Sequence, residues 1–260
     1  MSGLHVHSTG HGPDLVLLHG WGMHGGVFAE LEPRLAAHFR VHRVDLPGHG
    51  RSPLSGPFEL PALAGQVVAA LGGRIAGPAL WAGWSLGGML ALQVAAARPD
   101  VVDRLVLVAS APRFSRADDW PAGMDPDTLA DFGRRLAEDH AGILQRFLAL
   151  QTFGEPDARS TLRALRAALD SAPAPAPAAL AAGLRILQAA DLRDAWQAVT
   201  APVLLIGGER DRLVHPDALA AAVDLRPQTR WQRIPDAGHA PFVSHPEAVA
   251  GAITEFAHGD

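Results

Sequence analysis

Gly83-Trp84-Ser85-Leu86-Gly87 constrains this chain more than any other stretch, because it sets a serine between glycines where an apolar run ends and a helical run begins. Ala79-Leu80-Trp81-Ala82, opened by Gly77-Pro78, reads as a short strand, and Leu86 to Arg98 has no internal breaker before Pro99. The turn between them must be tight. Glycines at 83 and 87 remove Cβ atoms that would collide there, leaving the Ser85 hydroxyl presented and the Leu86 N–H near a helix N-terminus. With that strand and helix around it, the G-x-S-x-G pattern describes a nucleophile elbow.

A serine hydroxyl needs a base to take its proton. Of thirteen histidines, His5 and His7 lie on one face of an expected N-terminal strand, His38 and His42 flank the start of another, and His49 sits in a turn. No third ligand at a recognisable spacing makes a metal site of His5 and His7, and none is expected. His239 follows the strand-like run Trp231 to Pro235, in a loop before the C-terminal helix. Such a loop can face the elbow from the C-terminal edge of a sheet. The acid that orients this imidazole is expected at Asp211, after the buried strand Pro202 to Gly208. Glu209 is the alternative, and Asp236 stands behind both because it is only three residues from the base on the same loop. The chain order Ser85, Asp211, His239 differs from the chymotrypsin and subtilisin orders.

Stabilising a tetrahedral oxyanion takes two backbone N–H groups. Leu86 supplies one by position. The apolar strand Leu15 to Leu18 runs into His19-Gly20-Trp21-Gly22, and the Trp21 N–H is the natural second donor, with His19 read as a structural residue bonding the loop backbone.

Together with Asp45-Leu46-Pro47-Gly48-His49-Gly50-Arg51-Ser52 and Gly238-His239, these residues resemble the α/β-hydrolase superfamily over essentially the whole chain. More narrowly, the chain is similar to the pimeloyl-[acyl-carrier protein] methyl ester esterases of biotin synthesis, through Leu18 to Gly22, Val44 to Gly48, Gly83 to Gly88, Arg146 to Thr152 and His239 to Pro246. The resemblance implies a nucleophile at Ser85, an acid at Asp211 and a base at His239. It also implies substrate contacts from Trp21, Ser85, Leu86, Phe147, Leu148, Ala149, Leu150 and Gln151. Docking of the acidic acyl carrier protein would fall to Arg146, Arg159 and Arg163, whereas Gly142 stands where a further arginine is expected.

The expected fold is a mostly parallel sheet flanked by helices, with residues 1–111 and 192–260 as core and residues 112–191 as an inserted helical lid. Strands alternate with helices except between Pro112 and about Asp191, where Gly-Pro turns join helices. Ser171 to Pro177 alternates alanine with proline and reads as a stiff connector. Arg159, Arg163 and Arg166 recur at i, i+4 and i+7, opposite Leu162, Leu165 and Leu169. That stripe is either a solvated face paired with acids or, with Arg146, a basic patch at the mouth of the site.

A length of 260 residues suits one large domain, and a net charge of −5 gives no reason to invoke nucleic acid. The absence of cysteine excludes disulfides, thiolate metal sites and a cysteine nucleophile. With no hydrophobic leader and no apolar run long enough for a bilayer, a cytoplasmic monomer without membrane contact is expected. The chemistry expected is ester hydrolysis by a serine hydrolase needing no cofactor, and the resemblance narrows the substrate to the methyl ester of pimeloyl-[acyl-carrier protein]. The alternatives are a broad carboxylesterase for small short-chain esters and a ligand receptor on a hydrolase scaffold that does not turn over.

Overall fold

The short apolar runs become the strands of one seven-stranded sheet. In the computed structural model, which describes residues 3–136 and 138–259, these are β1 (Val6–Thr9), β2 (Asp14–Leu18), β3 (Arg40–Val44), β4 (Ala79–Trp84), β5 (Val102–Val108), β6 (Val203–Gly208) and β7 (Arg230–Ile234). Their order across the sheet is β1-β3-β2-β4-β5-β6-β7; only β1 runs antiparallel to its neighbour. Every residue of β4 and β6 is buried, as expected of parallel strands covered on both faces, and this explains why they read as continuous apolar runs rather than alternating ones.

Helices Leu60–Leu71, Leu86–Ala97 and Arg193–Ala198 pack against one another, while Glu32–Ala36 packs with Pro246–His258. Helix Leu86–Ala97 is buried without interruption from Leu86 to Leu92, the mark of a helix enclosed on all sides.

Register then gathers the loops. Leu18 is paired with Gly83, Trp84 with Val108, Val108 with Ile206 and Gly208 with Ile234, so β2, β4, β5, β6 and β7 end at nearly one level. The segments that follow them emerge along one edge of the sheet, where ligands bind in open α/β folds.

Between β5 and β6 the chain forms helices Pro126–Leu136, His140–Gln151, Ala158–Asp170 and Pro177–Ala189 before Arg193–Ala198. The two ends of this insertion meet. Arg113 and Asp191 form an isolated bridge, Leu192 N–H donates to the Pro112 carbonyl at 2.8 Å, and the Arg113 guanidinium holds Asp191 at 2.6 Å. Arg193, helped by Arg113, keeps the Asp191 carboxyl down at about 2. The Ala-Pro connector has no regular secondary structure and is tied to the core where Ala176 N–H donates to Gly48 O at 2.7 Å. Among the described residues no helix is long and apolar enough to cross a membrane.

The loops after β2 and β3 are tied together by a buried imidazole. His19 Nε2 accepts the Leu46 N–H at 2.9 Å while its Nδ1–H donates to Gly20 O at 2.9 Å, which makes the ring neutral and sets its tautomer. His49 lies with its ring 5.2 Å from that of His19 and donates from Nδ1 to Pro47 O at 3.0 Å. Burial drives both rings away from the protonated form, His19 well below its ordinary value and His49 down to about 4. A histidine whose folded-state pKa is depressed contributes fully above its unfolded value, and that stability is lost as pH falls. For His49, lowered from 6.5 to about 4, the loss amounts to about 3 kcal/mol across that interval. Thermal unfolding followed from pH 7 to 4 is therefore expected to show a steep acid decline that is shallower in His49→Gln; equal slopes would contradict this account.

Candidate active site

Ser85 stands at the end of β4 with φ 54° and ψ −118°, a backbone state that a residue with a Cβ adopts only when its surroundings enforce it. They do so through its peptide groups. Ser85 N–H donates to Val108 O at 3.0 Å, and Ser85 O accepts from Ser110 Oγ at 2.8 Å and from the Gly88 and Met89 N–H groups at 2.9 and 3.1 Å. The two glycines have separate reasons. A Cβ on Gly83 would collide with the Gly87 carbonyl across the turn, whereas one on Gly87 would strike the Leu18 and His19 carbonyl oxygens at the end of β2. The second glycine therefore serves helix-to-sheet packing rather than the turn itself.

The loop after β7 brings His239 to this serine. His239 Nε2 lies 3.0 Å from Ser85 Oγ, and Nδ1 lies 2.8 Å from Asp211 Oδ2, with all three residues at most 2% exposed. The other carboxylate oxygen of Asp211 accepts the Leu213 and Val214 N–H groups at 2.8 and 2.9 Å, which satisfies a buried charge and aims it. The alternative acids turn away: Glu209 is exposed, and Asp236 pairs with Arg210 at 2.6 Å.

Leu86 follows Ser85 as the first residue of helix Leu86–Ala97, and Trp21 lies in the loop after β2. Neither of their backbone N–H groups is used in a turn or cap among the described residues. The Trp21 indole donates to Leu180 O at 2.8 Å and meets the Phe147 ring edge-on at 4.9 Å. Helix Pro177–Ala189 presses its backbone onto this pair at Gly183, where a Cβ would stand 2.8 Å from the Trp21 ring and 3.2 Å from the Leu86 side chain.

Helix His140–Gln151 turns Phe147, Leu148 and Gln151 inward, with Leu150 half-buried. Ala149 is exposed, because it falls about 100° per residue away from the buried stripe; its side chain faces solvent rather than Ser85. Both polar atoms of the buried Gln151 side chain lack a partner within the protein. Arg146, Arg159, Arg163 and Arg166 are exposed, and among the described residues none has a carboxylate within ion-pair distance. Arg166 instead donates to Gln145 at 2.8 Å. At Gly142 the Asp139 side chain caps the helix by accepting the N–H at 2.8 Å, and a Cβ would run into that carboxylate.

Several bonds that hold this arrangement are not marked by any motif. The Trp84 indole donates to His239 O at 2.7 Å, Ser110 braces the elbow, and Glu155 accepts the Gly238 N–H at 2.7 Å. Only contact across distant segments reveals them. Among the described residues, no group of three or more His, Cys, Asp or Glu side chains is arranged to hold a metal ion.

The profile of the alpha/beta hydrolase family matches residues 15–252. The chain belongs to that family. Among curated relatives, the pimeloyl-[acyl-carrier protein] methyl ester esterase of Stenotrophomonas maltophilia strain K279a is 48% identical over 254 residues, covering 97% of this chain and 96% of its own. The protein of the same name from Xanthomonas oryzae pv. oryzae strain MAFF 311018 is 46% identical, covering 97% and 98%. Among solved structures, an esterase from Exiguobacterium antarcticum superposes with a TM-score of 0.88 at 21% identity, covering 98% of this hydrolase and 96% of that chain. At that identity the likeness concerns the fold.

If Ser85 is the group that His239 activates, an organophosphonate adds one equivalent of mass at Ser85, and Ser85→Ala loses both labelling and esterase activity while staying folded. Asp211→Asn is expected to lose about 10⁴ in kcat through the wrong imidazole tautomer, and Glu209→Gln to change little. Peptide mass mapping and steady-state kinetics check both, and labelling at Ser52, Ser110 or Ser115 would refute the assignment.

Proposed function

We propose that this hydrolase is a serine carboxylesterase that cleaves the methyl ester of pimeloyl-[acyl-carrier protein], releasing methanol and the free distal carboxylate in biotin biosynthesis. The reaction type is supported chiefly by one observation, the buried imidazole bonded at Nε2 to Ser85 and at Nδ1 to Asp211. The substrate is supported by identity of 46 to 48% over nearly full length with esterases of that name.

His239 takes the Ser85 proton as Oγ attacks the ester carbonyl carbon. Asp211 fixes the tautomer and stabilises the imidazolium. The oxyanion forms between the Trp21 and Leu86 N–H groups, which develop their strongest interaction only in the tetrahedral state. His239 then protonates the departing methoxide, and water attacks the acyl-enzyme with the same imidazole as base. Phe147, Leu148, Leu150 and Gln151 line the acyl chain from helix His140–Gln151, with Trp21 as the opposite wall; Ala149 contributes backbone alone. In this reading residues 112–191 form a lid on the core of residues 1–111 and 192–260.

Arg146, Arg159 and Arg163 dock the acidic carrier. Their lack of carboxylate partners favours a docking face over a face neutralised by its own acids. Exposed charges act over about a Debye length, ~8 Å at physiological ionic strength, so kcat/KM on the carrier-linked ester falls with added salt while that on a small free methyl ester does not. Arg159→Glu with Arg163→Glu weakens cleavage of the carrier-linked ester through association and spares the small ester. Equal loss on both substrates would make the arginines structural, and loss on neither would move the carrier elsewhere. Methanol release from the carrier-linked ester, with growth of a biotin auxotroph lacking the esterase, tests the substrate directly.

A further inference from the structure

The loop that carries His239 is tied to the core through Asp236, paired with Arg210, through Ala237 O, which accepts the Arg210 N–H at 2.9 Å, and through His239 O, which accepts the Trp84 indole N–H. Residues 235–240 lie outside any strand or helix, and Asp236 sits at φ 60°, a left-handed state for a non-glycine residue. Yet the imidazole at its centre must hold two short hydrogen bonds at once. The loop's buried N–H groups need partners, and two consecutive ones find them in the insertion rather than in the sheet: Gly238 N–H donates to Glu155 Oε1 at 2.7 Å, and His239 N–H donates to Gln151 O at 2.8 Å. The approach is close enough that a Cβ on Gly238 would stand 2.5 Å from Gln151 O and 2.7 Å from Glu155 Oε1.

Glu155 follows helix His140–Gln151 in the turn Phe153-Gly154-Glu155-Pro156 and is 8% exposed. Its carboxyl stands at the seam between insertion and core, on a cleft of about 360 Å³ shared with Thr161, Asp236, Ser244 and His245. Burial lifts this carboxyl above its ordinary value, while Thr161, the Gly238 N–H and the His245 side chain pull the other way and Asp211 adds to the rise. In so dry a place a hydrogen bond to a backbone N–H is stronger than in water, and an unpaired N–H is costlier.

We propose that Glu155 is a positioning residue for the histidine base: by accepting the Gly238 N–H it holds the loop that aims His239 at Ser85, so the triad is assembled only while the insertion is seated. The inference rests on the reading of His239 as base. Glu155 makes no hydrogen bond to Ser85 or to the imidazole, and the bond by which it holds the base is the one to the Gly238 N–H.

The test compares Glu155→Gln, which keeps an acceptor oxygen, with Glu155→Met, which keeps bulk without one, and Glu155→Ala, all in the full chain. Two quantities are read: the rate constant for phosphonylation of Ser85 by a fluorophosphonate, and kcat and KM on p-nitrophenyl acetate. The melting temperature of each variant is measured alongside, so that the labelling rate constant is compared only where the chain is fully folded. A general loss of packing would lower the melting temperature; a misaimed base lowers the rate constant at full folding. We expect Met and Ala to slow labelling and kcat by about 10- to 100-fold, the range that misplacement by roughly an ångström produces, with KM nearly unchanged and Gln close to wild type. Wild-type rate constants in Met and Ala, or a Gln variant as slow as Met, would overturn the proposal. Should Met and Ala not fold, Glu155→Asp, shorter by one methylene, carries the same two readings with the same expectation. If wild-type enzyme is not labelled at Ser85, or His239→Gln labels as fast as wild type, the triad reading itself fails and Glu155 is not at issue.

Discussion

The strained turn at Ser85 is the constraint on which the remaining geometry depends. A residue with a Cβ at φ 54° is held there because its N–H and carbonyl are bonded to Val108, Ser110 and the first turn of the following helix. Those bonds require β4 and β5 in register and the helix pressed against the end of β2, which is possible only with glycine at 83 and 87. The strain at one residue is thus balanced by packing drawn from three strands and a helix.

From that turn outward, each group of the candidate site is supplied by a different loop on the same edge of the sheet. Asp211 is aimed by two N–H groups of its own loop, and the loop carrying Trp21 is braced by the neutral His19 imidazole against Leu46. His239 is the exception, since its carbonyl accepts the Trp84 indole N–H, its own N–H donates to Gln151 O, and Glu155 accepts the N–H of Gly238 beside it. The insertion therefore helps to hold the loop of the proposed base, and this links the enclosure proposed for the acyl chain to the readiness of the proposed nucleophile.

The outer surface of the insertion follows another logic. Arg146, Arg159 and Arg163 extend into solvent without carboxylate partners, although acidic residues outnumber basic ones in the chain. A local excess of positive charge on an acidic protein steers an acidic partner to one face while the rest of the surface repels it. Arg166 belongs to the same helical stripe, but its bond to Gln145 turns it toward holding two helices together.

Strand and helix order, the elbow turn and the helices between β5 and β6 were legible in the sequence, because each follows from local rules: apolar runs, glycine at a tight turn, proline at a helix end. Boundaries moved by a few residues, as with β4, which runs to Trp84 rather than Ala82 since pairing with β5 carries it into the elbow. The choice of Asp211 over Glu209 rested on position in a loop, and the geometry that separates them, one buried and bonded, the other exposed, exists only after β6 and β7 align. Ala149 was indistinguishable from Phe147 and Gln151 within a matching run, yet helical rotation turns it outward. Glu155, Ser110 and Gly183 left no trace in any motif, because each acts through a contact with a segment far away in the chain, and Trp84, though inside the elbow, gave no sign there of its bond to His239 O. Local chemistry and turn geometry could be read from the order of residues; which backbone groups share a buried hydrogen bond was decided by the tertiary packing that brings distant segments together and dehydrates them.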